Sequence, residues 1–330
     1  MGDVPSSWAE GSKQGILPNP RGHSHYRHHV SLTDLRKQTG VLLQAIDQTT
    51  TRALACGALQ PIDTSQSVIT DQGVEFLVRS VSSLIRKKQA DKQDRGKGPD
   101  FNPFLPPEPE LTLAQVSDSH LAILNKFNVI DRHLLIITRQ FEHQERLLTR
   151  ADFAALWRCL QEMDGLGFYN GGRVAGASQR HKHLQLVPLP LSPDIDGTPM
   201  DVVWSGAQTA GEPLVLPALP FSHRFLRLPD SSLSDTEGNA AYCLDAYLKM
   251  LSLVGVEQVD REDGLYQSAP YNLLLTRRWM LLVPRSEESC EGISINSLGF
   301  VGSLFVPQAA DLEKVERLGP MHILGAVTLP

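Results

Sequence analysis

At 330 residues, 41% of them hydrophobic, the chain has material for a substantial core and for roughly two domains, and a formal charge of −6 leaves no basic excess for nucleic acid. Cys56, Cys159, Cys243 and Cys290 lie far apart and form no Cys-x-x-Cys pair, which argues against a zinc ribbon or disulfide framework and for a reducing cytoplasm. No apolar run approaches about 18 residues and the N-terminus lacks the charged-then-apolar order of a signal peptide, so neither membrane insertion nor export is expected.

Residues 1–30 are rich in Gly, Pro, Ser and His without apolar periodicity, and read as a flexible extension rather than a metal cage. Leu35, Leu42, Leu43, Ile46, Ala53 and Leu54 give residues 31–58 a helical stripe, with Ser31 or Thr33 as caps. Residues 73–84 alternate as a strand does, and lead into the basic cluster Arg86-Lys87-Lys88 and a polar loop over 89–100. Asn102-Pro103-Phe104-Leu105-Pro106 is a proline-punctuated extended segment. Leu121-Ala122-Ile123-Leu124 and Leu134-Leu135-Ile136-Ile137 then read as an antiparallel hairpin. Thr149 caps a helix over 151–163, with Phe153, Leu156, Trp157 and Leu160 on one face.

Next comes the stretch with the most chemistry, Gly176-Ala177-Ser178-Gln179-Arg180-His181-Lys182-His183-Leu184-Gln185. In a strand, the two-residue period puts His181, His183 and Gln185 on one face and Lys182 and Leu184 on the other. Two alternating histidines alone fit a plain strand. The small-residue segment upstream, from Gly171 to Ser178, changes the balance, because its backbone N–H groups have room to approach an anion. An imidazole with one free nitrogen is a competent nucleophile toward phosphorus when the other nitrogen is held by an acceptor.

Residues 191–235 are rich in Pro, Ser and Asp and read as an excursion between two parts. Asp235 caps a helix over 237–254, and residues 271–285 form a second apolar hairpin that mimics the one over 121–139. A strand pair over 294–306 and a helix over 308–317 close the chain.

Asn-Pro-Phe-Leu-Pro at 102–106, Leu-Asn-Lys-Phe-Asn-Val at 124–129 and Gly-Ala-Ser-Gln-x-His-Lys-His-Leu-Gln at 176–185 together resemble the ATP adenylyltransferases, also called diadenosine tetraphosphate phosphorylases, of the histidine-triad superfamily. The shorter His-x-His-x-Gln is shared with galactose-1-phosphate uridylyltransferases. The resemblance implies an α+β fold: a histidine-triad-like antiparallel sheet with packed helices over 31–190, and a C-terminal α+β domain over 236–330, read from the echo between the two apolar hairpins as a degenerate second half-unit. It implies nucleotidyl transfer with His183 as nucleophile, Gln185 holding a phosphoryl oxygen and favouring transfer over hydrolysis, and His181 orienting the strand. It further implies that Gly176, Ala177, Ser178, Gln179 and Asn170 form or support the phosphate loop. Asn125 would meet ribose, Lys87 and Lys126 would serve as polyphosphate cations, and Asn272 and Arg277 would close over the second nucleotide or the acceptor phosphate. Partners would be diadenosine polyphosphates, ATP, ADP and phosphate, with magnesium accompanying the polyphosphate and no tightly bound cofactor. The same residues also fit transfer to sulfate, transfer of uridylyl to a hexose phosphate, and a non-catalytic nucleotide sensor.

Overall fold

The computed structural model describes residues 41–81, 101–207, 211–229 and 235–329. Lys87, the basic cluster around it, the histidine-rich N-terminal segment and the proposed caps at Ser31 and Thr33 lie outside those residues.

An eight-stranded antiparallel sheet organises the molecule, and it draws on both ends of the chain. Its members are β3 (Thr112–Gln115), β4 (His120–Leu124), β5 (Leu134–Thr138), β6 (Gly165–Gly171), β7 (His183–Pro188), β8 (Arg224–Arg227), β11 (Tyr271–Leu275) and β12 (Trp279–Pro284). They lie in the order β3-β4-β5-β7-β6-β11-β12-β8. The seam between β6 and β11 pairs Asn170 with Asn272 and Tyr169 with Leu273. The C-terminal part is therefore not a separate sheet. It continues the first.

One face of the sheet is covered by three helices, α1 (Val41–Ala55), α2 (Arg150–Glu162) and α3 (Thr236–Leu253). Leu134, Ile136, Leu184, Leu186, Leu273 and Leu282 point into that layer, alongside Phe153, Trp157 and Tyr247. Helix α2 starts where the sequence marks it: Thr149 accepts from the Asp152 N–H while Asp152 accepts from the Thr149 N–H, a reciprocal capping box. Loss of such a cap costs about 1 kcal/mol. The opposite face carries Phe168, Val187, Leu274, Leu281 and Val283. Against it pack a smaller sheet, β1 (Thr64–Asp71), β2 (Val74–Val81) and β15 (Ser303–Val306), and helices α4 (Ala309–Leu318) and α5 (Pro320–Ala326).

Several expectations are corrected here. The expected strand pair over 294–306 is a short strand, a 3₁₀ turn (Ser297–Val301) and β15, which pairs in parallel with β2. The described part of the 191–235 excursion is anchored in the core, since Met200, Trp204, Leu219 and Phe221 are buried and Trp204 stacks on Phe225. Its polar composition hid the few large apolar anchors that hold it. It also supplies the edge strand β8. The hairpin β11–β12 is the counterpart of β6–β7 rather than of β4–β5, because a helix of the same layer lies before each pair, α2 directly before β6 and α3 before β11 with the short hairpin β9 (Gln258–Arg261)–β10 (Gly264–Gln267) between, and both pairs meet at the seam. No helix among the described residues is long and apolar enough to cross a membrane.

Candidate active site

Strand β7 carries out the two-sided arrangement its sequence encodes. Leu184 and Leu186 enter the helical layer. On that same side Lys182 is fully buried, with Nζ 2.7 Å from Asp152 Oδ2 of α2 and 3.0 Å from Leu147 O. Asp152 also meets His120 Nε2 at 3.0 Å. Lys182 and His120 offset the cost of burying this carboxyl and hold its pKa below the usual carboxylate range. Removing one partner of such a buried pair costs about 3–5 kcal/mol. The Lys182–Asp152 pair thus fixes the back of the strand, and with it the side chains on the front.

On the front, His183 lies opposite Ile137 and Gln185 opposite Leu135. His183 is 4% exposed, and its Nδ1 lies 2.8 Å from the His181 carbonyl oxygen. A carbonyl only accepts, so Nδ1 carries the proton and Nε2 keeps its lone pair. Nε2 has no hydrogen-bond partner among the described residues. Burial pushes the imidazole pKa down to about 4, against a smaller upward pull from the His181 carbonyl. The ring is therefore neutral at physiological pH, with one nitrogen free.

His181 is tied to its neighbours through Nε2 on the Thr138 carbonyl and Nδ1 on Asn102 Nδ2, at 2.8 and 2.9 Å. Phe104 packs edge-on against both rings, with centroid distances of 5.6 Å to His181 and 5.3 Å to His183. The proline-punctuated segment is thus a turn that covers the histidines. Gln144, which sequence reasoning passed over, clamps the His183 backbone by accepting from the His183 N–H at 2.9 Å and donating to the Asn170 carbonyl at 2.9 Å.

The loop between β6 and β7 is built around Gly176. Its φ of +94° suits glycine, and a Cβ there would stand 2.9 Å from the Asn296 side chain. The nest expected over Gly171–Ser178 is smaller than the glycines imply. The N–H groups of Gly172, Ala175, Gly176 and Ala177 are spent on the loop's own carbonyls. Those of Ser178 and Gln179 have no hydrogen-bond partner among the described residues, and Ser178 is exposed and Gln179 half-buried. Arg173 and Arg180 are exposed and have no ion-pair partner among the described residues. They are the cations this loop offers, and only their place in the motif could have flagged them.

Other expected contacts are corrected. Lys126 is held by Glu108 at 2.7 Å, so its charge is matched within the protein. Asn170 and Asn272 are buried under the loop, where Asn272 Nδ2 donates to Asn170 Oδ1 and the Ala175 carbonyl, and Ser297 Oγ donates to Asn170 Oδ1. Asn272 supports the loop and does not close over a ligand. Arg277 donates to the Leu160 and Gln161 carbonyls at the end of α2 and is a helix cap. Two supports were missed, Ser297 and Arg285. Arg285 is 1% exposed, donates to Asn272 Oδ1 at 2.6 Å and to the Ile295 and Val327 carbonyls, and burial lowers its pKa to about 10, which leaves it charged.

A cavity of about 300 Å³ opens between α1 and the β4–β5 connection, lined in part by Thr50, Leu54, Leu124, Asn125, Arg132 and His133. Asn125 lies on its wall, and both ends of its amide are engaged, with Phe127 N and with His133 Nδ1. Among the described residues no group of three or more His, Cys, Asp or Glu is placed to hold a metal ion.

Residues 33–205 match the family model described as the Ap4A phosphorylase N-terminal domain, and residues 217–330 match the ATP adenylyltransferase C-terminal domain. The chain is 31% identical to diadenosine 5',5'''-P1,P4-tetraphosphate phosphorylase 2 of Saccharomyces cerevisiae, over 74% of this chain and 79% of the relative. It is 28% identical to a second protein of that yeast, Protein APA1, over 78% of this chain and 84% of the relative. The crystal structure of yeast Ap4A phosphorylase Apa2 in complex with Ap4A superposes with a TM-score of 0.71 at 26% identity, covering 88% of this chain and 97% of that one. The same enzyme in complex with AMP superposes equally, with a TM-score of 0.71.

Proposed function

Because the chain belongs to the Ap4A phosphorylase family, we infer that it is a nucleotidyltransferase that splits diadenosine tetraphosphate with inorganic phosphate into ADP and ATP. The observation that carries this is His183, a buried neutral imidazole whose Nδ1 proton is held by a carbonyl and whose Nε2 has no hydrogen-bond partner among the described residues.

In this mechanism Nε2 of His183 attacks the α-phosphorus, the bridging P–O bond breaks and ATP leaves, so the enzyme carries AMP on a P–N bond. The positive charge that develops on the ring is met at Nδ1–H by the His181 carbonyl. Inorganic phosphate then attacks the same phosphorus, breaks the P–N bond and leaves as ADP. Two in-line displacements replace one difficult step. Gln185 cannot ionise and supplies hydrogen bonds only. That suffices for an anionic acceptor and an anionic leaving group, which need little proton transfer. Ser178 and Gln179 are the donors for phosphate oxygens, with Arg173 and Arg180 as the cations beside them. The cavity walled by Asn125 and His133 takes one nucleoside, being of ligand-pocket size and lined by His133, whose ring bonds to Gln185. Magnesium would travel on the oxygens of the polyphosphate rather than in a protein cage. Four free cysteines support a reducing, cytoplasmic compartment for this chemistry.

The test is to supply diadenosine tetraphosphate with labelled phosphate. Label is expected in ADP alone, in equal amount to unlabelled ATP. AMP and ATP formed without phosphate would establish hydrolysis instead, and sulfate as a parallel acceptor checks whether phosphate is preferred.

A further inference from the structure

Gln185 can present either end of its amide to a phosphoryl group, and only one is useful, because phosphoryl oxygens accept and do not donate. The choice is made by a chain of hydrogen bonds with one unambiguous end. The Phe127 backbone N–H can only donate, and it meets Asn125 Oδ1 at 3.4 Å. Asn125 therefore turns Nδ2 toward His133, where it lies 3.1 Å from Nδ1. Nδ1 accepts that bond, so the proton of the neutral ring sits on Nε2, 2.9 Å from Gln185 Oε1. Gln185 is left with Nε2 as its free end, on the face of β7 that carries His183. His133 is 9% exposed, with its ring 5.8 Å from that of Phe168, which restricts other rotamers.

We propose that His133 is a positioning residue that holds the Gln185 amide with its nitrogen toward the transferring phosphoryl group, and that Asn125 fixes the tautomer that lets it do so. The inference rests on the functional reading above and adds a link to it. Asn125 and His133 also line the nucleoside-sized cavity. A nucleoside seated there touches the two residues that set the catalytic amide, so its contacts bear on kcat as well as on binding.

The experiment measures kcat and KM on diadenosine tetraphosphate for wild type and His133→Asn, His133→Gln, Gln185→Ala and the His133→Asn/Gln185→Ala pair, with thermal melts as the folding control. His133→Asn keeps an acceptor near the Nδ1 place but has no donor at the Nε2 place. It is expected to lose roughly 10- to 100-fold in kcat, in the range of a lost transition-state donor, with KM changed less than about threefold. In His133→Gln the amide nitrogen takes the Nε2 place, and most of kcat is expected to return. In the Gln185→Ala background, His133→Asn is expected to cost less than about twofold more, because the two act as a unit. If His133→Asn does not fold, Asn125→Leu serves, since it removes the donor that fixes the tautomer, and a smaller kcat loss of about threefold is expected. Unchanged kcat in a folded His133→Asn or Asn125→Leu, equal losses in His133→Asn and His133→Gln, or the same loss with and without Gln185 would each overturn the role. Wild type run alongside keeps the questions apart: no ADP from wild type refutes the functional reading, whereas active wild type with indifferent variants refutes the role of His133.

Discussion

On one side of the β6–β11 seam, α2 leads into β6 and then β7, and the strands run outward as β6, β7, β5; on the other, α3 is followed by the short hairpin β9–β10 and then by β11 and β12, and the strands run outward as β11, β12, β8. Tyr-Asn occurs in both central strands, as Tyr169-Asn170 and Tyr271-Asn272, and the two asparagines face each other across the seam. The outer strands then diverge. β7 carries His183 and Gln185 above a buried lysine, whereas β12, Trp-Met-Leu-Leu-Val-Pro, has no histidine and is buried along its whole length. One scaffold thus serves two ends. The half with the buried imidazole carries the proposed nucleophile, and the other half supplies Asn272, which supports the loop around Gly176.

The largest effect should come from the half that reacts. His183→Ala is expected to remove at least about 10³-fold in turnover, since no other described imidazole lies on that face with a free nitrogen. The melting temperature should stay close to wild type, and a collapse of the fold would mean that His183 is chiefly a packing residue.

In the supporting half the expectation is reversed. Arg285→Met removes the donor shared by Asn272 Oδ1, Ile295 O and Val327 O, and should cost about 3–5 kcal/mol of stability in denaturant titration. A change under about 1 kcal/mol would show that the clasp is dispensable and that the second half does not hold the loop.

Acid should separate the halves as well. Above the ordinary histidine range His183 is neutral whether folded or not. Between that range and about 4 the unfolded chain takes a proton that the folded site refuses, so stability falls as pH falls through this window, and levels off below it. The loss is on the order of 3 kcal/mol at most. His183→Asn should flatten that part of the stability curve, and an unchanged slope would show that other groups govern it.

Arg277 gives the smallest effect. Its guanidinium caps α2 through the Leu160 and Gln161 carbonyls, so Arg277→Ala should leave kcat and KM within about twofold and cost about 1 kcal/mol of stability. A large rise in KM for phosphate would return Arg277 to the site.

What the sequence revealed, and what it hid, follows the reach of each interaction. The faces of β7 follow from an alternation within six residues, and the cap of α2 from Thr149 and its neighbours. By contrast, Lys126 looked like a free cation because its partner Glu108 lies in another segment. Asn272 and Arg277 looked like site residues because they share a hairpin, yet one points under the phosphate loop and the other toward the end of α2. The seam itself joins strands about a hundred residues apart, and no local pattern encodes which edges meet. Asn125 stood out only as a member of a motif, and its hydrogen-bonded order with His133 became visible once β5 and β7 were paired.

The most direct measurement is the fate of the α-phosphorus when the acceptor is withheld. Wild-type protein incubated with α-labelled diadenosine tetraphosphate and no phosphate should retain AMP on His183, located by peptide mapping, as an acid-labile and base-stable adduct that added phosphate discharges as ADP. His181→Ala should still label slowly, because the carbonyl that accepts from His183 Nδ1 is backbone and survives the change. A folded His183→Ala protein that forms ADP at a near-normal rate, or a wild type that turns over while label settles on another residue, would contradict the account.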